Sequence, residues 1–118
     1  MSVFFEFDKW KKEIKKGLIE MCILALLKNK RMYGYEISKA LSRISKGILS
    51  IDDGTLYPLL RRLESKKLIL GEWSFIQGKA RKYYRLQSLG IEVLKDMEDF
   101  WIQITESVNL ILQGDVNV

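Results

Sequence analysis

Apolar residues recur at helical spacing in four stretches of this chain and alternate with polar ones in a single region. From about Trp10 to Leu27, the residues Trp10, Ile14, Leu18, Met21, Cys22 and Ala25 form one stripe. Ile19, Ile23, Leu24 and Leu27 widen that stripe until the second half is apolar nearly all round, which predicts a helix buried on most sides. Gly17 interrupts it at about 1 kcal/mol relative to alanine, either to admit another helix or by simple tolerance. Lys28-Asn29-Lys30-Arg31 is a polar break with Asn29 as helix stop. A second helix follows from about Tyr33 to Ser45, with Ile37, Leu41 and Ile44 inward, and residues 46–51 read as a connection holding a short extended piece.

The third helical stretch, Asp52 to Glu64, has two unlike faces. Leu56, Leu59, Leu60 and Leu63 fall together, while Thr55, Tyr57, Arg61, Arg62 and Ser65 lie opposite. Asp52 or Asp53 supplies the N-cap. Pro58 sits in the first turn if Thr55 is the cap, and beyond it, where it should bend the helix, if Asp52 is. Next comes the alternating region: a strand from Leu68 through Phe75, a turn at Gln77-Gly78-Lys79, and a return from Ala80 to Leu86. Alternation sends one of Tyr83 and Tyr84 into the core. The last stretch, Ser88 to Leu112, starts at Ser88 or Gln87 and stops at Gly114. Its Leu94, Met97, Trp101, Ile104, Val108 and Ile111 are spaced 3, 4, 3, 4, 3, a heptad seam that needs a partner. A second copy plus the first helix fits that need. Met1 to Asp8 is apolar and aromatic without period, and reads as an arm or an extra turn packing on a partner.

The order of elements predicts a mainly α (α+β) fold, a winged helix-turn-helix with a long C-terminal dimerisation helix. Residues 1–86 would form the winged-helix domain and residues 87–118 the dimerisation helix. At 118 residues one modest core is expected.

Charge adds a direction to this picture. Between Arg61 and Arg85 there are eight basic residues against two acidic ones, an excess larger than the net +5 of the whole chain. From Leu86 onward Lys95 stands alone against six acids. A basic middle and an acidic end imply a middle that faces a polyanion. The basic helix face then becomes a major-groove reader of double-stranded DNA, with arginine donating to guanine O6 and N7 and the wing supplying salt-dependent grip. Tyr57 would touch a phosphate or a thymine methyl, or else pack under the wing. A winged-helix interaction adaptor that binds no DNA is the alternative, and the basic stretch argues against it.

Other chemistries find little support. The chain has no histidine and one cysteine, Cys22, inside an apolar run, so neither a nucleophilic triad nor a Cys/His zinc site is expected. No glycine-rich phosphate loop or metal-spaced acidic cluster points to an enzyme, a metal or a cofactor, and Asp52-Asp53 is better used at a helix start. No apolar run reaches membrane-spanning length, so a cytoplasmic protein is expected.

The segments Tyr33-Gly34-Tyr35-Glu36-Ile37, Gly54-Thr55-Leu56-Tyr57-Pro58-Leu59-Leu60-Arg61-Arg62-Leu63-Glu64 and Gly78 to Leu86, with the spacing between them, resemble the PadR family of transcriptional regulators, specifically its small members with one C-terminal helix. The resemblance covers about residues 12–112. It implies a homodimeric repressor whose third helices enter successive major grooves of a palindromic operator, with wings on the flanking backbone. By position, Tyr57, Arg61 and Arg62 match the family's helix-face contacts, and Lys79, Arg81 and Lys82 its basic wing tip. Two features depart from the family pattern: fewer arginines at the wing tip than usual, and Leu86-Gln87 where the family's last helix usually opens on Leu-Thr. Trp101 looks like the tryptophan with which some members hold a planar aromatic small molecule at the dimer centre; the alternative is that it packs the seam.

Overall fold

The computed structural model describes residues 5–114, so the first half of the arm expected at Met1 to Asp8 lies outside the described residues, as do the last four of the chain. The elements in order are α1 (Phe7–Leu26), β1 (Met32–Tyr33), α2 (Gly34–Ile44), α3 (Asp53–Ser65), β2 (Ile69–Ile76), β3 (Lys79–Leu86) and α4 (Ser88–Leu112). The three strands form one antiparallel sheet in the order β1-β3-β2. This is the winged helix-turn-helix expected from the pattern, with three differences. The first helix starts at Phe7, three residues before its apolar stripe. Tyr33, expected to open the second helix, joins Met32 instead, and the two pair with Tyr83 and Tyr84 as a third strand. The connection after α2 is a run of turns, not an extended piece.

Those turns follow from how the helices end. At the close of α2 the Gly47 N–H reaches the Ser42 carbonyl (2.8 Å) and the Lys46 N–H reaches Arg43. At the close of α3 the Leu68 N–H reaches Leu63 (3.1 Å) and the Lys67 N–H reaches Glu64 (2.9 Å). Both are paired terminal bonds that satisfy the last carbonyls, and both place a lysine in the left-handed region, Lys46 at φ 53° and Lys67 at φ 62°. The wing turns on two residues, Gln77 and Gly78, at φ 52° and 76°. Two successive positive φ angles match the twist of the flanking strands, so Ile76 pairs directly with Lys79.

The core is one cluster to which every helix contributes: Ile23, Leu24 and Leu27 from α1 and its C-cap, Ile37 and Leu41 from α2, the four leucines of α3, and Leu94 from α4, closed by Ile69 and Tyr84 of the sheet. Tyr84 is thus the inward member of the tyrosine pair. Ile44, expected inward, is exposed instead, because α2 ends there and its last turn overhangs the core. Trp10 and Ile14 are also uncovered, so the α1 stripe is buried by the chain itself only over its second half. α4 is anchored at its start: the Gln87 N–H donates to the Leu68 carbonyl (2.9 Å), and Gly90 lies directly against that same carbonyl.

Candidate nucleic-acid interface

Asp52 is the N-cap of α3, its Oδ1 accepting from the Thr55 N–H at 2.8 Å. Pro58 therefore lies beyond the first turn, and its missing N–H leaves the Gly54 carbonyl without a helical donor. The four leucines of the helix are buried, and Thr55, Tyr57, Arg61 and Arg62 are exposed.

This outward face divides in two. Tyr57 and Glu64 lie on the side toward α2 and the wing, and Arg61 stands on that same side, near enough to act electrostatically on Lys82 and Tyr84. The Tyr57 ring rests on the start of α2, where a Cβ on Gly34 would meet its hydroxyl at 2.6 Å and the ring would have to shift. Arg62 points the other way, and its guanidinium donates to the carboxylate of Glu20 on α1. It ties α3 to α1 instead of standing free beside Arg61.

Glu64 joins α3 to the wing. Its Oε2 accepts from the Gly71 N–H and its Oε1 from Lys82 Nζ, both at 2.9 Å. A Cβ on Gly71 would lie 2.3 Å from Lys82 Cε and 2.9 Å from Glu64 Oε2, so a larger residue there would push the bridge aside. The hydrogen bond from Lys82 is the main reason the Glu64 carboxyl is held below its ordinary range, and the same bond holds the Lys82 ammonium above its own. Lys82, expected at the wing tip, is thus a brace at the wing's middle. Arg85 is likewise engaged, with Glu72 at 2.7 Å. Among the described residues Arg61, Lys79 and Arg81 form no ion pair.

On the opposite face of the sheet the short strand β1 brings in residues that the sequence pattern does not single out. The Arg81 guanidinium lies over the Tyr33 ring and the Arg31 guanidinium over the Tyr83 ring, each 4.5 Å from the centroid. Tyr33 and Tyr83 meet edge to face at 5.4 Å. A stacked guanidinium keeps its N–H edge available, so Arg31 and Arg81 are held ready for an anion. Arg31 could have been found only by recognising a strand two residues long, too short to show alternation.

A second feature lies between α1 and α4. Ile14, Gly17, Leu18 and Met21 of α1 face Met97, Phe100, Trp101 and Ile104 of α4 across an apolar groove of about 520 Å³, with Glu20 at its rim. Leu94, expected in an intermolecular seam, is instead 2% exposed in the chain's own core, because the first turns of α4 pack on α1 and the start of β2. Beyond it Trp101, Ile104, Val108 and Ile111 are exposed.

The model of the transcriptional regulator PadR-like family matches residues 23–96. A PadR family regulator from Eggerthella lenta is 34% identical, with a TM-score of 0.81 over 92% of this chain and 94% of that one. A PadR-like regulator from Bacillus cereus is 36% identical, with a TM-score of 0.77 over 87% and 99%. The chain belongs to the PadR-like family. A transcriptional regulator of Mycobacterium tuberculosis is also similar, 29% identical over 72% of this chain and 77% of its own. The protein is a winged-helix transcriptional regulator and not an enzyme.

In this PadR-like chain the residues singled out in the sequence therefore fall into groups. Thr55, Tyr57 and Arg61 share an open surface on α3, and Lys79 and Arg81 stand on the other face of the wing. Arg62 and Lys82 belong to braces behind it. Among the described residues no helix is long and apolar enough to cross a membrane, and no group of three potential ligands could hold a metal ion.

Proposed function

We propose that this PadR-like regulator is a cytoplasmic homodimeric repressor that reads a palindromic operator in double-stranded DNA and is released by a planar aromatic small molecule. The observation that carries the reading is the apolar seam of α4 from Trp101 to Ile111, left uncovered beside α1 on the same chain as an open cationic surface on α3 and the wing. A heptad stripe of this kind gains by packing against its own copy about a two-fold axis. At Gly17 an added Cβ would meet nothing among the described residues of its own chain within 4 Å, so the α1 backbone is open to that approach. In this reading residues 1–86 are the DNA-binding part and residues 87–118 the dimerisation helix. A two-fold of this kind sets the α3 helices on half-sites about one helical turn apart.

Arg61 then donates to guanine O6 and N7, a pair that contributes about 1–3 kcal/mol of discrimination. Thr55 and Tyr57 flank it at the groove edge, and Lys79 and Arg81 hold phosphates. Arg62 and Lys82 serve by fixing how α3 and the wing stand. The groove of Met97, Phe100, Trp101 and Ile104, closed by a second copy, is the place for the aromatic ligand, and filling it would alter the spacing of the two α3 helices.

Selection of bound fragments from a random DNA pool tests the reading. Enrichment of two inverted half-sites at fixed spacing is expected, together with a dimer in sedimentation equilibrium. Absence of any enriched palindrome overturns it. For the ligand, a planar dye should quench emission in the wild type more than in Trp101→Phe and should displace the selected DNA; dye binding that leaves DNA bound refutes release.

A further inference from the structure

The wing carries two large aromatic residues that nothing among the described residues covers. Trp73 is 72% exposed and Phe75 is 76% exposed, although both sit within the regular strand β2. Alternation and register say which way they face. Gly71 pairs with Tyr84, Trp73 with Lys82 and Phe75 with Ala80, and directly paired residues share a face of the sheet. Tyr84 is buried and Gly71 receives Glu64 of α3 against it, so this is the face on which α3 packs. The face therefore runs from buried Ile69 and Tyr84 at its base, past the Glu64–Lys82 bridge, to bare Trp73 and Phe75 toward the tip. It leaves the core beside Arg61 and Lys82, while Lys79, paired with Ile76, and Arg81, paired with Ser74, belong to the other face.

Two exposed aromatics on a strand without a neighbour on its outer edge would ordinarily be a liability. Here their surroundings indicate what covers them. No acidic side chain of the hairpin lies on this face; Glu72 points to the other side, and Glu64 is already engaged by Lys82 and Gly71. A protein partner would have to bury Arg61 without compensation, with Lys79 and Arg81 on the reverse of the same hairpin, unless it were itself acidic. The DNA backbone supplies both halves of the complement: phosphates for the cations and, between them, the apolar C–H walls of the deoxyriboses.

Resting on the DNA-binding reading above, we propose that Trp73 and Phe75 form an uncharged second contact to DNA, lying against the sugar walls of the minor groove next to the major groove that receives α3. Apolar side chains are well suited to that groove, whose base edges distinguish little and whose walls are largely sugar. The contact divides the wing's work. Lys79 and Arg81 contribute affinity that falls with salt, and Trp73 and Phe75 contribute affinity that does not.

That division is the test. Binding of the full-length protein to a fragment carrying its selected site is titrated over a range of salt for the wild type, Trp73→Ala, Phe75→Ala and Trp73→Phe, with Lys79→Ala alongside. Burial of an aromatic side chain predicts a loss of about tenfold or more in affinity for each alanine variant. The loss should be the same at every salt concentration, with the slope of log affinity against log salt unchanged, and Trp73→Phe should recover most of it. Lys79→Ala should flatten the slope. Because both aromatic side chains stand in solvent, the thermal midpoint of the free protein should move little. Unchanged affinity in both alanine variants overturns the proposal. So does a loss accompanied by the flattened slope of Lys79→Ala, which would mean that the aromatics act only by placing cations, or a change in oligomeric state with DNA affinity per dimer intact, which would make the aromatic pair a protein contact. Failure of the wild type itself to bind any fragment at low salt is a separate result, and it removes the DNA-binding reading along with this one.

Discussion

Gly90 offers a test in which local propensity and packing predict opposite signs. It lies in the first turn of the 25-residue helix α4, where alanine would ordinarily stabilise the helix by up to about 1 kcal/mol. A Cβ on Gly90 would instead lie 2.1 Å from the Leu68 carbonyl oxygen and 2.7 Å from Leu86 Cδ1. The leucine methyl can turn away, but the carbonyl is backbone at the junction of α3 and β2, and it already accepts the Gln87 N–H at 2.9 Å. Relieving the contact requires α4 to move off by roughly 1 Å, an overpacking cost of about 1–3 kcal/mol. Weakening the Gln87 bond adds about 0.5–1.5 kcal/mol. Net of a propensity gain of about 1 kcal/mol, Gly90→Ala should destabilise the fold by about 0.5–3.5 kcal/mol, at roughly 3–6 °C per kcal/mol in a chain of this size. Thermal melts at one fixed protein concentration measure it, since dimerisation would make the midpoint depend on concentration. Gly54→Ala is the internal control: its Cβ meets only Asp52 Oδ1, at 3.4 Å, so it should be neutral or stabilise by a few tenths of a kcal/mol. An unchanged or raised midpoint for Gly90→Ala would refute the reasoning, because it would show that α4 is not held at this carbonyl.

Four further expectations concern charge and packing. Arg61→Ala should relax base preference in repeated DNA selection with little change in stability, whereas Arg62→Ala should lower stability by at most about 1 kcal/mol, as a partly exposed ion pair allows, and leave base preference in place. Glu64 is held below its ordinary 4.5, chiefly by the Lys82 hydrogen bond, so its contribution is present at neutral pH and disappears as pH falls from about that value through the lower folded one. Urea midpoints of wild type and Glu64→Gln should therefore differ at pH 7 and converge in acid. Leu94→Ala should cost about 2–5 kcal/mol of stability as a core cavity, while Ile111→Ala, at a site 72% exposed, should spare the fold and weaken self-association in sedimentation. Lys79→Ala should flatten the salt dependence of DNA binding by about one unit for each wing in contact.

The fold was legible because its periodicities are strong. Four leucines on one face of α3 and a heptad run on α4 have no other good explanation, and Gly78 stands where a two-residue turn needs a positive φ. What escaped was set by single contacts. Met32 and Tyr33 form a strand only because Tyr83 and Tyr84 present a free edge to them, and two residues carry no period of their own. The ends of α2 and α3 were legible to within a residue, but not their left-handed lysines Lys46 and Lys67, a conformation usually given to glycine; after α2 the glycine, Gly47, stands one residue later. Leu94 belongs to the heptad by spacing, yet the first turns of α4 use it for the chain's own core, and a repeat cannot tell which partner each of its members will meet.

The candidate site was harder to read for a related reason. Composition locates a basic stretch, but it cannot tell which cations are already committed within the fold. Glu20, far away on α1, claims Arg62; Glu64 claims Lys82; and Glu72 claims Arg85. Each pair spans two elements and is invisible to local pattern. The effect on function is to narrow the surface and to stiffen it. The open cations Arg61, Lys79 and Arg81 stand on elements whose relative placement is fixed by the committed ones, and Arg81 is further held on the Tyr33 ring. A reader of DNA gains from that arrangement, because a donor fixed by its neighbours loses little freedom on meeting a base or a phosphate. On the DNA-binding reading proposed above, the glutamates belong to recognition as much as the arginines do: removing Glu64 would free a positive charge on the wing and at the same time loosen the angle between α3 and the wing.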